Sequence, residues 1–175
     1  GILEEPLEKG SSGGNPEGSG YYTDKTGGCG GGLIMINATD SVNVSGMIQS
    51  DGGLGEYPSG YSTSGGGGSG GSIYVKANTF TGTGNITSDG GTSVSTTAKG
   101  GGGSGGRIAI QYWGDSFIGQ ITAYGGVGHT ATQRGGAGTI YVKGEDNPLG
   151  NLTISNTGAT ATGWATPING TFERI

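Results

Sequence analysis

Apolar residues fall at alternate positions in four short runs along the chain: Ile34 and Ile36, Ile73 and Val75, Ile108 and Ile110, Ile140 and Val142. Each run follows a glycine-rich stretch, most clearly in GGGGSGGRIAI at residues 100–110 and GGGGSGGSIYV at residues 65–75, with GGCGGGLIMI and GGAGTIYV as the outer copies. A second phrase, Gly-x-Ile-x-small, recurs downstream: Gly46, Ile48 and Ser50; Gly84, Ile86 and Ser88; Gly119, Ile121 and Ala123; then Gly150 and Leu152 with Ile154 in the small position. Short length, period two and β-branched residues predict strands of about three to five residues. No stretch has the periodicity of a helix.

The two phrases stand 14, 13, 13 and 12 residues apart in successive units, whereas the glycine-rich return from one unit to the next shortens from 25 to 22 to 19 residues. A steady inner spacing with a variable return predicts strands stacked in register, with the length differences gathered on one side. A third apolar spot lies between the phrases, at Val42 and Val44, Phe80, Phe117 and Leu149, which suggests three sheet faces per unit. The expected fold is all-β: a single-domain parallel β-helix, or solenoid, with about four glycine-rich coils and atypical capping ends. Residues 1–175 form one domain on this reading. Residues 1–26 are an N-terminal cap or inter-protomer segment, 27–158 the repeats and 159–175 a C-terminal cap.

Composition changes the picture in one respect. With 45 Gly and 5 Pro in 175 residues, the chain approaches the share at which aperiodic sequences are disordered. Its glycines lack the three-residue period of collagen and alternate with compact apolar runs. Three roles for the glycine runs stay open: corners and close approaches that only glycine allows, extended polyglycine-like layers, or flexible loops. The formal charge of −5, with 8 Lys and Arg scattered singly, offers no basic stripe for nucleic acid. No window approaches the roughly 18 apolar residues of a membrane span. Residue 1 is Gly with no basic-then-apolar leader after it, as in a processed chain or an excerpt from a longer one.

The units GGGGSGGRIAI followed by GQITAYGG, and GGSIYV followed by GNITSDGG, resemble the glycine-rich parallel β-helix repeats of large extracellular and cell-surface proteins, adhesin-like ones among them. The resemblance spans about residues 27–155. It implies a right-handed β-helix and a surface or matrix role, and supplies no active-site residues. The expected function is an extracellular structural or adhesive module, self-associating as the protomer of a fibre or surface filament. The alternative is a carbohydrate-binding module or polysaccharide-processing enzyme.

Candidate chemistry is sparse. Asn37, Asn43, Asn85, Asn151 and Asn169 each begin an Asn-x-Ser/Thr sequon, consistent with a glycoprotein. Asn85 and Asn151 follow the glycine of the second phrase and are expected to face solvent. Tyr74, Tyr112, Trp113 and Tyr141 are candidate stacking surfaces for sugar or protein; Tyr74 and Tyr141 are expected on the outer face of one sheet. Asp51 and Asp89 occupy matching SDGG turns, suited to Asx turns or, with more oxygens, to calcium. The single His129 lies in a polar loop without evident partners. The single Cys29 suits a packed turn or a disulfide between protomers. No catalytic constellation, metal site or cofactor site is expected.

Overall fold

The computed structural model describes residues 2–16, 26–57, 64–93, 100–130 and 133–156. Eleven short strands are formed among them: β1 (Leu33–Asn37), β2 (Ser41–Val44), β3 (Met47–Gln49), β4 (Ser72–Lys76), β5 (Thr79–Gly82), β6 (Asn85–Thr87), β7 (Arg107–Gln111), β8 (Gly114–Phe117), β9 (Gln120–Thr122), β10 (Thr139–Gly144) and β11 (Asn147–Thr153). They build three separate sheets, ordered β1-β4-β7-β10-β11, β2-β5-β8 and β3-β6-β9. Strands of successive units pair in parallel. Ile34, Ile73, Ile108 and Ile140 form one column and Ile36, Val75, Ile110 and Val142 the next, while Ile48, Ile86 and Ile121 align in the third sheet. These columns meet Val44, Phe80 and Ala123 in the main hydrophobic core, where Ile73, Val75, Ile86 and Ile110 are fully buried.

The expectation of a single parallel solenoid of about four coils is corrected. The sheets are separate and short-stranded, and the first is mixed, because β11 turns back and pairs antiparallel with β10, setting Tyr141 opposite Leu152. Among the described residues the fourth unit therefore adds no strand to the second or third sheet. Its Gly150, Leu152 and Ile154 do not continue the Ile48–Ile86–Ile121 column, and Leu149 does not continue the Val42–Phe80 column.

Local chemistry explains the reversal. In the earlier units the corner after the first strand is held by stacked backbone bonds. Asn78 N–H donates to the Asp40 carbonyl, and the Asn78 carbonyl accepts from Trp113 and Gly114. In the fourth unit a two-residue turn, Glu145–Asp146, follows Gly144, which lies against the Tyr112 ring where a Cβ would not fit. Gly150 adopts φ +80°, and the Tyr141 ring fills the space over it, an arrangement open to glycine alone.

The register also corrects the third apolar spot. Phe80 lies opposite Val42 and Asp115, whereas Phe117 lies opposite Gly82, itself at φ +123°. The two rings still pack, with centroids 4.8 Å apart, because the column beside Phe117 carries only glycine in the preceding unit.

The glycine returns are ordered, and they follow a rule of three. In residues 65–71, Gly65, Gly68 and Gly71 donate to Glu56, Gly53 and Ser50; Gly66 and Ser69 donate to Gly14 and Ser11; Gly67 and Gly70 donate to Gly101 and Ser104. All seven bonds measure 2.7–3.0 Å. Every third N–H thus points to the same neighbouring segment, as in an extended chain of three residues per turn that makes no bonds within itself. Other returns repeat the pattern: Gly52 and Gly55 donate to Asp89 and Thr92, Gly102 and Gly105 to Gln133 and Gly136, and Gly135 and Gly138 to Gly126 and Ala123. Of the three open readings, the polyglycine-like layer and the close approach of backbones that only glycine allows both hold for the described returns, while positive-φ corners occur at Gly82 and Gly150, outside them. A Cβ on Gly91 would enter the Gly53 carbonyl and one on Gly103 the Gly68 carbonyl, so this lattice excludes side chains at its interior. Ser50 and Ser88, the small residues of the second phrase, line its seam with the core, donating from Oγ to the carbonyls of Gly32 (2.7 Å) and Gly71 (2.9 Å).

Candidate functional site

The outer face of the first sheet is covered. Residues 2–10 run across β4, β7 and β10 as a strap whose Pro6 is fully buried. Ser72 Oγ donates to the Glu8 carbonyl, Gln111 Nε2 donates to the Glu4 carbonyl at 3.0 Å, and Arg107 Nη1 pairs with Glu8 Oε2 at 2.8 Å. Beneath it lie Tyr74, Ala109 and Tyr141 as a second, smaller apolar cluster. Tyr74 is 6% exposed and Tyr141 1%, so the expectation that both present stacking surfaces is corrected: the strap occupies that face. Tyr141 donates to the Leu149 carbonyl at 2.8 Å and approaches Glu4 Oε1 at 3.2 Å. Burial, then the Glu4 charge and its hydrogen bond, push the Tyr141 phenol up to about 12. Burial, then Glu5 and Glu4, also raise Tyr74. Residues 2–10 of the segment expected to cap an end or cross between protomers thus pack along the sheet of their own chain.

The other two aromatic candidates lie together at the β7–β8 corner. Tyr112 is half-buried with its ring stacked near that of Phe80, centroids 6.3 Å apart and planes 14° from parallel. Burial raises its hydroxyl, with Asp115 and Asp146 adding their charges. Trp113 is 63% exposed and is the accessible member of the four.

Of the sequon residues, Asn37 on β1, Asn43 on β2 and Asn151 on β11 are exposed, and Asn85 on β6 is half-buried; Asn169 lies outside the described residues. Asn85 and Asn151 do not share an environment as the repeat suggested, because they belong to different sheets.

Asp51 and Asp89 form a rung-to-rung ladder of Asx bonds. Asp51 Oδ1 accepts from Asp89 N–H at 2.7 Å, and Asp89 Oδ1 accepts from Tyr124 N–H at 2.6 Å while Oδ2 takes the Thr122 hydroxyl at 2.9 Å. Burial raises the Asp89 carboxyl; the bonds from Tyr124 and Thr122 oppose this and Asp51 adds to it. These carboxylates serve as caps for backbone N–H groups in the next unit. Among the described residues, no group of three His, Cys, Asp or Glu side chains converges as a metal site would. His129 donates its backbone N–H to the Gly100 carbonyl, and its Nδ1 has no hydrogen-bond partner among the described residues. Cys29 is exposed, with its carbonyl accepting from Gly53 within the glycine lattice.

Sequence reasoning missed the strap contacts of Glu4 and Glu8 and the rim formed by β1, β2 and β3, each paired with a described strand on one side only. The acidic cluster Glu4, Glu5 and Glu8 was visible, but pairing it with Arg107 requires a contact 99 residues distant. The rim had a signal in Leu33 and Met47, apolar at positions that in the next unit are Ser72 and Asn85. Among the described residues, no helix is long and apolar enough to cross a membrane. No family model, curated protein or solved structure matches the chain.

Proposed function

We propose that the protein is an extracellular structural or adhesive module that self-associates, without enzymatic activity of its own. The observation carrying this reading is the rim of β1, β2 and β3, each paired with a described strand on one side only. Unpaired strand edges are templates for another chain, and natural sheets ordinarily protect them with lysine, proline or bulges. The sequences of the three rim strands, LIMIN, SVNV and MIQ, hold no charge and no proline. A scaffold role also accords with the division of the described chain between a packed core and a lattice of backbone bonds, an arrangement rich in rigidity and poor in clustered reactive groups. The sequons and the resemblance to surface-protein repeats support the extracellular setting.

Electron microscopy and light scattering of native material test the reading; strictly monomeric particles refute it. A mass shift on treatment with an N-glycosidase tests the secretory setting. A second reading, glycan binding, is favoured by the exposure of Trp113 beside Tyr112. Binding on a glycan array that is lost in Trp113→Ala would establish it, and a reducing-end assay on polyuronides separates it from polysaccharide processing.

A further inference from the structure

The two ends of the described stack differ in shape and in chemistry. At the near end β1, β2 and β3 belong to one unit, so three edges end at a common level. At the far end β8 and β9 are the outermost strands of their sheets, while the first sheet continues through β10 and β11. At the usual spacing between strands, two further strands raise that side by about 10 Å. The outermost strand there, β11, carries Pro148, which has no N–H to offer a neighbour, and β8 carries Asp115. Among the described residues the near-end edges lie in one unit and carry no charge or proline, whereas the far end is stepped and two of its three edge strands carry a guard.

The outward-facing columns make the same distinction. Met47 lies in register with Asn85 and Gln120, and Leu33 with Ser72 and Arg107. Those two positions are thus polar inside the stack and apolar at its rim, where Leu33 and Met47 are exposed; Met35, also exposed, begins the apolar column that continues through Tyr74, Ala109 and Tyr141 and is covered there by the strap. Pairing three edges at once requires a partner that presents three strands in the same layout, which a second near end does and the stepped far end does not.

We propose that two copies join near end to near end through β1, β2 and β3, about a two-fold axis that sets β1 against β1 of the second copy, forming a closed pair. The inference rests on the self-association reading and narrows it: an isologous contact of this kind uses up the interface, whereas a head-to-tail contact would run on as a filament. β1 lies on the axis because it is the longest of the three rim strands and bears Met35 at its centre. N-linked sugar on Asn37 or Asn43, which lie in β1 and β2, is incompatible with this contact, so the pair forms from protein unglycosylated at both.

Sedimentation and light scattering of unglycosylated protein over a range of micromolar concentrations should give a dimer mass that does not grow further. The double variant Met35→Lys, Met47→Lys should be monomeric with its circular dichroism unchanged, whereas Ile118→Lys at the far end should stay dimeric. Met35→Cys in a Cys29→Ser background should be joined copy to copy by a short bis-maleimide, a result independent of how well the lysine variants fold. Monomers at every concentration would overturn both the pair and the self-association reading. Growth beyond dimers, or loss of assembly in Ile118→Lys, would overturn the pair and leave self-association standing. Dimers that resist the cross-link would overturn the placement of the axis.

Discussion

The three-sheet core and the glycine lattice lie side by side along the same stack and are held together by opposite means. In the core, side chains fill the space between sheets, and columns such as Ile73–Ile108 and Val75–Ile110 remove apolar surface from water. In the lattice, side chains are what must be absent. Segments approach until backbone N–H and C=O groups of different units bond directly, and interior positions have no volume for a methyl group. A protein with 30% hydrophobic residues can thus be ordered over most of its described length, because the second region draws on directional backbone bonds and close packing where the first uses hydrophobic burial.

The largest effect should come from the core. Ile110→Asp places a charge where the wild-type side chain is fully buried. Such a change costs more than about 4 kcal/mol and should abolish the cooperative urea transition. Retention of a native-like transition would show that the core is not the dominant support.

Next, Gly103→Ala should destabilise by about 1–3 kcal/mol or more by forcing a methyl into the Gly68 carbonyl. Gly101→Ala, where an added Cβ meets nothing within 4 Å, and Ser104→Ala, at an exposed position, should each stay within about 0.5 kcal/mol. Equal tolerance of alanine at 101 and 103 would mean that the lattice is looser than its bond lengths indicate.

Tyr141→Phe removes the hydroxyl bonded to Leu149 and close to Glu4 and should cost about 1 kcal/mol. The folded phenol titrates near 12, above its ordinary value of 10.0, so its contribution is fully present below pH 10 and is lost as pH rises from 10 toward 12. Thermal unfolding curves should show that alkaline loss in the wild type and a shallower one in Tyr141→Phe.

The smallest effect belongs to Asp89. Its folded carboxyl is raised above the ordinary 3.8, chiefly by burial, so the fold favours the protonated form. The wild type should lose stability from this group as pH rises from 3.8 through the folded value. Asp89→Asn, which keeps an acceptor for Tyr124, should lack that slope, and the two melting temperatures should converge at lower pH.

Much of the core was legible because each unit repeats it. Period-two isoleucines and valines announced strands, and the steady 13-residue inner spacing set Ile73 over Ile108 and Ile86 over Ile121. The fourth unit was misread because its strand phrase matches the others, while the Glu145–Asp146 turn that sends β11 back along β10 leaves no mark in the spacing of the phrases. The aromatic candidates divided for a similar reason. Alternation places Tyr74 and Tyr141 on an outer face, but only a contact from residues 2–10 decides that the face is buried, whereas Trp113, off that face, is exposed.

By itself the sequence determined which residues face inward and which segments repeat, since alternation and spacing are local properties that survive any arrangement of the units. The tertiary structure alone decided that the first sheet ends antiparallel, that the strap seals its outer face, and that the glycine runs bond every third residue to a different neighbour. Those outcomes rest on backbone groups and on partners up to 137 residues away, and a glycine, having no side chain, records nothing in the sequence about which carbonyl it will meet.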